Sequence, residues 1–147
     1  MRYLVTGSQM RAIDQDTIQN IGIPSLVLME RAAECVARKA EQLCDQKTLQ
    51  ILAICGVGNN GADGVAAARM LYLHGFDVLV VVVGNEAHAT KEFEVQKGIA
   101  EKLEIPVVDW EHFLHGEDEQ KAGDCAIIDA VFGVGFPEMW KEPMLRC

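Results

Sequence analysis

The sequence predicts an α/β fold of the Rossmann-like type, with three layers (α/β/α) around a mostly parallel sheet. Two observations support this prediction. Short apolar segments with the length of strands alternate with longer segments that have a helical pattern, which is typical of βαβ units. One short segment, residues 78–83, is apolar at every position. Such a strand is expected in a parallel sheet that helices cover on both faces.

Length and composition fit one globular domain, which we take to span residues 1–147. The net charge of −9 argues against nucleic acid or a membrane as the main partner, because both need clustered Lys and Arg. A nucleotide is not excluded, since backbone N–H groups at a helix start bind phosphate. No secretory signal or membrane-spanning run is visible. The five cysteines form no C-x-x-C pair, so we interpret them as reduced thiols of a cytoplasmic protein.

Two helices are expected before the first strand. Thr6 and Gln9 have the spacing of a capping box, and the first helix should end at Gly22. A second helix is expected over residues 25–44, because apolar residues recur there at three- and four-residue steps and form one stripe. The stripe consists of Leu26, Met29, Ala33, Val36, Ala40 and Leu43.

The rest of the chain reads as strands alternating with helices. We expect strands over residues 49–55, 76–83, 105–109 and 125–131, helices over 65–74 and 90–103, and an irregular charged segment over 110–122. Right-handed crossovers predict the strand order 3-2-1-4. This order places the carboxyl ends of strands one and four side by side, where doubly wound sheets bind ligands. The loops 56–64 and 132–137 leave those two ends.

The loop 56–64 reads Gly-Val-Gly-Asn-Asn-Gly-Ala-Asp-Gly and fits the pattern G-x-G-x-x-G. An ordinary dinucleotide-dependent dehydrogenase would also place an acidic residue at the carboxyl end of its second strand, to bind a ribose hydroxyl. Asp77 lies at the start of that strand, and Glu86 lies beyond Gly84. The dehydrogenase pattern is therefore a poor fit.

Three polar residues, Asn60, Asp63 and Asp129, are expected near the carboxyl ends of strands one and four. Asn and Asp in a loop can serve the backbone alone, and Asp63 could cap the next helix. Together in one glycine loop they favour a functional role, because amide and carboxylate oxygens bind ribose, phosphate or a hard cation. Asp129 interrupts an apolar strand, where an unpaired carboxylate is costly. We expect it to share a site with Asn60, the alternative being a cap of local N–H groups.

These segments resemble the YjeF N-terminal domain, the family of the NAD(P)HX epimerases, whose relatives include apolipoprotein A-I-binding proteins. The loop 56–64 differs from the family signature Gly-x-Gly-Asn-Asn-Gly-Gly-Asp-Gly only at Ala62. The resemblance covers residues 6–137. The other matching segments are Gln9-Met10-Arg11, Asp14, Gly22-Ile23-Pro24, Leu28-Met29-Glu30-Arg31-Ala32 and residues 129–136.

The resemblance implies an isomerase that interconverts the R and S epimers of hydrated NADH and NADPH (NADHX and NADPHX). This is a step of nicotinamide nucleotide repair, and a partner dehydratase then uses the S form. It also implies a homodimer and a bound potassium ion, with Asn60 and Asp129 as potassium ligands. The substrate contacts that it implies are Asn59, Asn60, Gly61, Ala62, Asp63, Gly133, Val134, Gly135 and Phe136.

The family's downstream segment Asp-x-Pro-Ser-Gly does not occur in this sequence, and residues 139–147 do not match the family. The Asp of that segment is the usual candidate for acid/base work. We therefore expect a domain that is truncated or divergent at its C-terminus, and the catalytic residue stays unidentified. Two alternatives remain open: an inactive module that binds a nucleotide or a protein, and a fragment of an NAD(P)-dependent dehydrogenase.

Overall fold

A computed structural model describes residues 4–44, 49–116 and 125–133. Within these ranges a four-stranded sheet has the order β3-β2-β1-β4, and all of its pairings are parallel. The predicted fold class and strand order are confirmed. The elements are α1 (Gly7–Asp16), a π-helical turn (Thr17–Ile21), α2 (Ser25–Leu43), β1 (Gln50–Gly56), α3 (Asn59–Leu73), β2 (Asp77–Val83), a 3₁₀ turn (Glu86–His88), α4 (Lys91–Lys102), β3 (Val107–Asp109), α5 (Trp110–His115) and β4 (Cys125–Ala130).

Strand β1 lies between β2 and β4, at the edge of the sheet where the sequence predicts ligand binding. Its register with β2 ends at Gly56↔Val83, and its register with β4 ends at Cys55↔Ala130. The carboxyl ends of the three strands therefore lie at one edge of the sheet, and the segments after β1 and β4 leave side by side, as predicted. Asp77 pairs with Gln50 at the opposite, amino edge, so it cannot serve as a ribose ligand of the dehydrogenase type.

Helices cover both faces of the sheet. On one face, α2, α3 and α4 contribute to the main core, in which Ile51, Val80 and Phe93 are fully buried. On the other face, Phe113 of α5 packs on a smaller cluster around Leu52 and Val81. Residues 78–82 of β2 are all buried, so a strand that is apolar on both faces does mark a parallel sheet covered on both sides.

The helix α2 turns a slightly different face to the core than predicted. Met29, Ala33 and Ala37 are buried, whereas Val36 and Leu43 are 40% and 70% exposed. The reason is that α2 packs on α3, with Ala33 against Ala66 and Ala67, and is centred less on the sheet. Val36 and Leu43 instead line an open groove of about 480 Å³ between α2 and β4.

The predicted start and end of the N-terminal helical segment are confirmed, whereas the prediction that residues 110–122 are irregular is partly wrong. Thr6 and Gln9 form the predicted capping box, and the helical segment ends at Gly22 in a left-handed conformation (φ 87°). Part of the segment expected to be irregular is helical, because the Asp109 side chain accepts a hydrogen bond from the His112 backbone N–H and caps α5. Among the described residues, no helix has the length and apolarity to cross a bilayer.

Candidate functional site

Helix α3 begins at Asn59, whereas the sequence predicts its start at residue 65. The predicted site residues Asn59, Asn60, Gly61, Ala62 and Asp63 are therefore the first residues of a helix and do not form a loop. The N-cap residue is Gly58, which makes no side-chain cap, so the structural alternative in which Asp63 caps the helix does not apply. Glycine and asparagine are weak helix formers, which is why their run resembles a turn.

The two glycines in this part of α3 allow an unusually close approach to the strands. A Cβ atom on Gly61 would lie 1.5 Å from the carbonyl oxygen of Gly56, and one on Gly64 would lie 2.4 Å from the Ala130 Cβ and 2.8 Å from the Cys55 Sγ. Gly56 itself leaves no room, because its Cβ would lie 2.5 Å from the Val131 carbonyl oxygen. The start of α3 therefore lies directly on the ends of β1 and β4.

Asn60 joins the start of α3 to the segment after β4. Its side-chain Nδ2 donates a hydrogen bond to the Phe132 carbonyl oxygen at 3.1 Å. Gly133 packs on the same side chain, since a Cβ atom there would lie 3.0 Å from the Asn60 Cβ. The structure thus brings Asn60 and Gly133 together. Three further predicted substrate contacts, Val134, Gly135 and Phe136, lie outside the described residues.

Asp129 is exposed, although the apolar strand around it predicts a buried carboxylate. Ala126 and Ile128 of β4 pack on the main core, so Ile127 and Asp129 point to the opposite face. Helix α5 packs on β2 and β3, and Ile127 is 60% exposed. The Asp129 Oδ1 accepts a hydrogen bond from the Val131 backbone N–H at 3.1 Å. The alternative of a local backbone cap is therefore observed.

Asn60 and Asp129 nevertheless hold the same short turn, residues 131–133, from two sides. The Asn60 Oδ1 and the Asp129 Oδ2 accept no hydrogen bond among the described residues. Both are hard oxygen donors of the type that alkali and alkaline-earth cations prefer. The described part of the chain contains no cluster of three or more His, Cys, Asp or Glu side chains suited to a metal. A cation here would depend on amide, carboxylate and backbone oxygens.

Asp63 has the most unusual carboxyl group near this edge. It lies three residues after Asn60, on the same side of α3. Burial and, to a smaller extent, the nearby negative charge of Asp14 on α1 together raise the pKa of Asp63 from 3.8 to about 6. An acid with such a pKa exchanges its proton near neutral pH, as acid/base chemistry requires.

Cys55, by contrast, has no chemical role at this edge. Its thiol is buried beneath Gly64, and burial raises its pKa to about 12. It stays protonated and is a packing residue, because only a thiolate is a strong nucleophile. The other described cysteines, Cys35, Cys44 and Cys125, are also unpaired thiols, as predicted.

Sequence reasoning missed the segment after β2. The Thr90 backbone N–H donates a hydrogen bond to the Val57 carbonyl oxygen at 3.0 Å, and Gly84, at φ 119°, lies against the Val57 side chain. This segment holds the turn between β1 and α3 from a third side. Gly84 at the end of an apolar strand was the available signal. The approach of Asp14 to Asp63 had no signal in the sequence.

We predict that Gly61→Ala destabilises the protein by about 3 kcal/mol or more, because the new Cβ collides with backbone that cannot move aside. Urea unfolding measures the change. Gly98→Ala in α4 is the matched control, since no heavy atom lies within 4 Å of its Cβ position, and it should stabilise by about 0.5–1 kcal/mol. A Gly61→Ala protein as stable as the parent would contradict the close approach.

We predict that Asp63→Asn stabilises the protein in a pH-dependent manner. Because folding raises the Asp63 pKa from 3.8 to about 6, folding favours the protonated form, and stability is lost as the pH rises through that range. The gain at about pH 7.5 should be on the order of 1 kcal/mol, since partial exposure screens the effect. At about pH 4.5 it should shrink by more than half.

Urea unfolding at the two pH values measures this difference. Asp14→Asn should give a smaller gain with the same pH dependence, because it removes only the second cause of the raised pKa. An equal gain for Asp63→Asn at both pH values would mean that the carboxyl is not perturbed.

Comparison with known proteins places this arrangement in a family. The crystal structure of yeast ynu0, YNL200c, matches the fold with a TM-score of 0.82 and 25% sequence identity, over 98% of this chain and 62% of the yeast chain. Three curated relatives are named NAD(P)H-hydrate epimerase. They come from Limosilactobacillus fermentum (44% identity over 131 residues, 89% of this chain and 59% of the relative), Limosilactobacillus reuteri (41% over 132 residues, 90% and 59%) and Oenococcus oeni (37% over 131 residues, 89% and 59%).

The chain therefore spans about 59% of the length of these relatives. The family model described as "YjeF-related protein N-terminus" matches residues 25–147, which is most of the chain. This chain belongs to the family of YjeF-related protein N-termini.

Proposed function

We propose that this chain is the nucleotide-binding part of an NAD(P)H-hydrate epimerase, an isomerase that interconverts the R and S epimers of NADHX and NADPHX in nicotinamide nucleotide repair. The observation that carries the proposal is the hydrogen bond from Asn60 to the Phe132 carbonyl oxygen. It joins the two segments that leave the carboxyl ends of β1 and β4, the place where an open α/β sheet binds its ligand. The relatives that bear this enzyme name support the choice of reaction.

The nucleotide would bind at the start of α3. The first N–H groups of a helix have no partner within the helix and attract phosphate. Gly61 lets the backbone there approach closely. The proposed contacts are Asn59, Asn60, Gly61, Ala62 and Asp63 on one side, and Gly133, Val134, Gly135 and Phe136 on the other.

The reaction needs a proton donor near the substrate hydroxyl. That hydroxyl is on a ring carbon next to the ring nitrogen. In our proposal, the Asp63 carboxyl protonates the hydroxyl oxygen and the C–O bond breaks. Water departs, and the ring that remains is a cation that the ring nitrogen stabilises. Water then adds from either face and returns its proton to the Asp63 carboxylate. The raised pKa of Asp63, about 6, allows it to hold this proton near neutral pH.

A potassium ion is part of the proposal, and the described residues fit it. Asn60 and Asp129 would be ligands through the side-chain oxygens that accept no hydrogen bond among the described residues. A cation at this position would balance the charge of the nucleotide phosphates beside an acidic chain of net charge −9.

We predict that the chain converts R-NADPHX to the S epimer faster than a protein-free blank, and that potassium increases the rate. Asn60→Ala should lower the rate about tenfold or more, because it removes a substrate contact and the link to the turn after β4. Arg38→Ala is the control, since Arg38 pairs with Glu34 on the exposed side of α2, away from this edge and from α1. Chromatography separates the epimers. Conversion at the blank rate would show that this chain alone is not an active epimerase.

We further propose that two copies associate through α1 and the π-helical turn after it. No residue of α1 is buried, and Met10, Ile13 and Ile21 are 41%, 50% and 66% exposed. Such apolar exposure is typical of an interaction surface. The same surface supports the second candidate function, a module that binds another protein.

A functional dehydratase partner and a cytoplasmic location belong to the proposed epimerase function. The unpaired thiols of the described cysteines fit a reducing compartment.

We predict that the parent chain is a dimer by light scattering and that Ile13→Glu/Ile21→Glu is a monomer, because two buried charges would oppose association. Arg31→Glu, on the exposed side of α2, is the control and should stay dimeric. A monomeric parent would contradict the proposed homodimer and would favour the second candidate function, in which this surface binds a different protein.

A further inference from the structure

One polar junction in the helical layer has no part in the proposed reaction. We define it by three residues, Glu30 of α2, Arg69 of α3 and Gln96 of α4. A single oxygen of Glu30, Oε1, accepts hydrogen bonds from the Arg69 Nη2 at 2.5 Å and from the Gln96 Nε2 at 3.0 Å. One carboxylate oxygen thus connects three helices. Glu30 belongs to the segment 28–32, which the sequence shares with the family but the substrate site does not use.

The junction contributes little net free energy to the stability of the fold. The Gln96 residue is 1% exposed, and the Arg69 side chain is 14% exposed. The Arg69 Nε and the Gln96 Oε1 are buried without a hydrogen-bond partner among the described residues. Unpaired buried polar atoms cost free energy. The ion pair offsets little of this cost, because the Glu30 side chain is 41% exposed and a partly exposed pair contributes little net stability. The arrangement is better explained by what its directional bonds fix in place.

The packing of α3 explains why it needs such an anchor. Small side chains let α3 lie close to the strands and to α2, but they interdigitate little, so they resist sliding and rotation weakly. Hydrogen bonds and ion pairs have a preferred direction and resist both motions. The buried residues of α3 are Gly61, Ala62, Gly64, Val65, Ala66, Ala67, Ala68 and Leu71.

We propose that Glu30, through Arg69 and Gln96, is a positioning residue that sets the rotation and axial position of α3. A rigid helix carries that position over the nine residues from Arg69 to Asn60, roughly 14 Å. Asn60 must meet the Phe132 carbonyl oxygen at 3.1 Å, so a small rotation of α3 displaces its side chain from the turn after β4. The kinetic part of this inference rests on the proposed epimerase function, whereas the structural part does not.

The test compares Glu30→Leu/Arg69→Leu with Glu30→Gln and Glu30→Ala. The double variant removes both charges of the ion pair together, so its unfolding midpoint should fall only by the cost of leaving the Gln96 Nε2 without its acceptor. The ¹H–¹⁵N resonances of the Asn60 side-chain amide and of residues 59–63 should nevertheless move, and more than in Glu30→Gln, which keeps an acceptor oxygen. The matched control is Glu34→Leu/Arg38→Leu, a surface ion pair of the same helix, which should leave those resonances unchanged.

In the epimerase assay the double variant should raise KM for R-NADPHX by about tenfold, with a smaller change in kcat, and Glu30→Gln should restore most of the loss. Unchanged Asn60 resonances in a stable double variant would overturn the proposal, because the junction would then be structural only. If the double variant does not fold, the test uses Glu30→Ala and Glu30→Gln instead. Asn60 resonance changes that are equal in these two variants and no larger than in the control would overturn the proposal. A larger change in Glu30→Ala than in Glu30→Gln would support the proposal. The resonances need no substrate, so a chain without epimerase activity leaves this test intact.

Discussion

The contact between Gly61 and the carbonyl oxygen of Gly56 is the constraint on which the rest of the site depends. No side chain fits between these two backbones, since even a Cβ atom would lie 1.5 Å from that oxygen. Gly64 repeats the approach one turn later against Ala130. The ends of β1 and β4 and the start of α3 are thereby held at backbone distance from one another.

This close packing determines what the edge of the sheet can bind. The first N–H groups of α3 open at the ends of the strands, so they are available to an anion. Asn60 spans to the turn after β4, and Asp63 stays partly buried beside Asp14 with a pKa raised to about 6. A partly buried carboxyl costs stability at neutral pH. Such a cost is common where function requires the group.

The sequence predicted the architecture well because its signals were strong and mutually consistent. The apolar run of β2, the capping box at Thr6 and the stop at Gly22 each have one physical interpretation, and all three are confirmed. The strand order followed from the right-handedness of βαβ crossovers, which constrains topology without knowledge of side chains.

The errors arose where tertiary packing outweighs local preference. Gly61 and Gly64 read as loop residues, but they are glycines because α3 lies against backbone, so the helix starts earlier than predicted. Asp129 read as buried because its neighbours are apolar, yet β4 is the last described strand on its side of the sheet and that face is open. The exposure of Val36 follows from the packing of α2 on α3. None of these contacts leaves a periodic pattern in the sequence.

The most direct test of this account is a ¹H–¹⁵N NMR titration of the chain with NADPHX. The account predicts that the largest changes occur at residues 59–63 and at Phe132 and Gly133, because both segments meet at the carboxyl ends of β1 and β4. The amino ends of the same strands, at Gln50 and Cys125, serve as the internal reference. Changes centred on the amino ends would contradict the account, since the ligand would then bind at the wrong edge of the sheet.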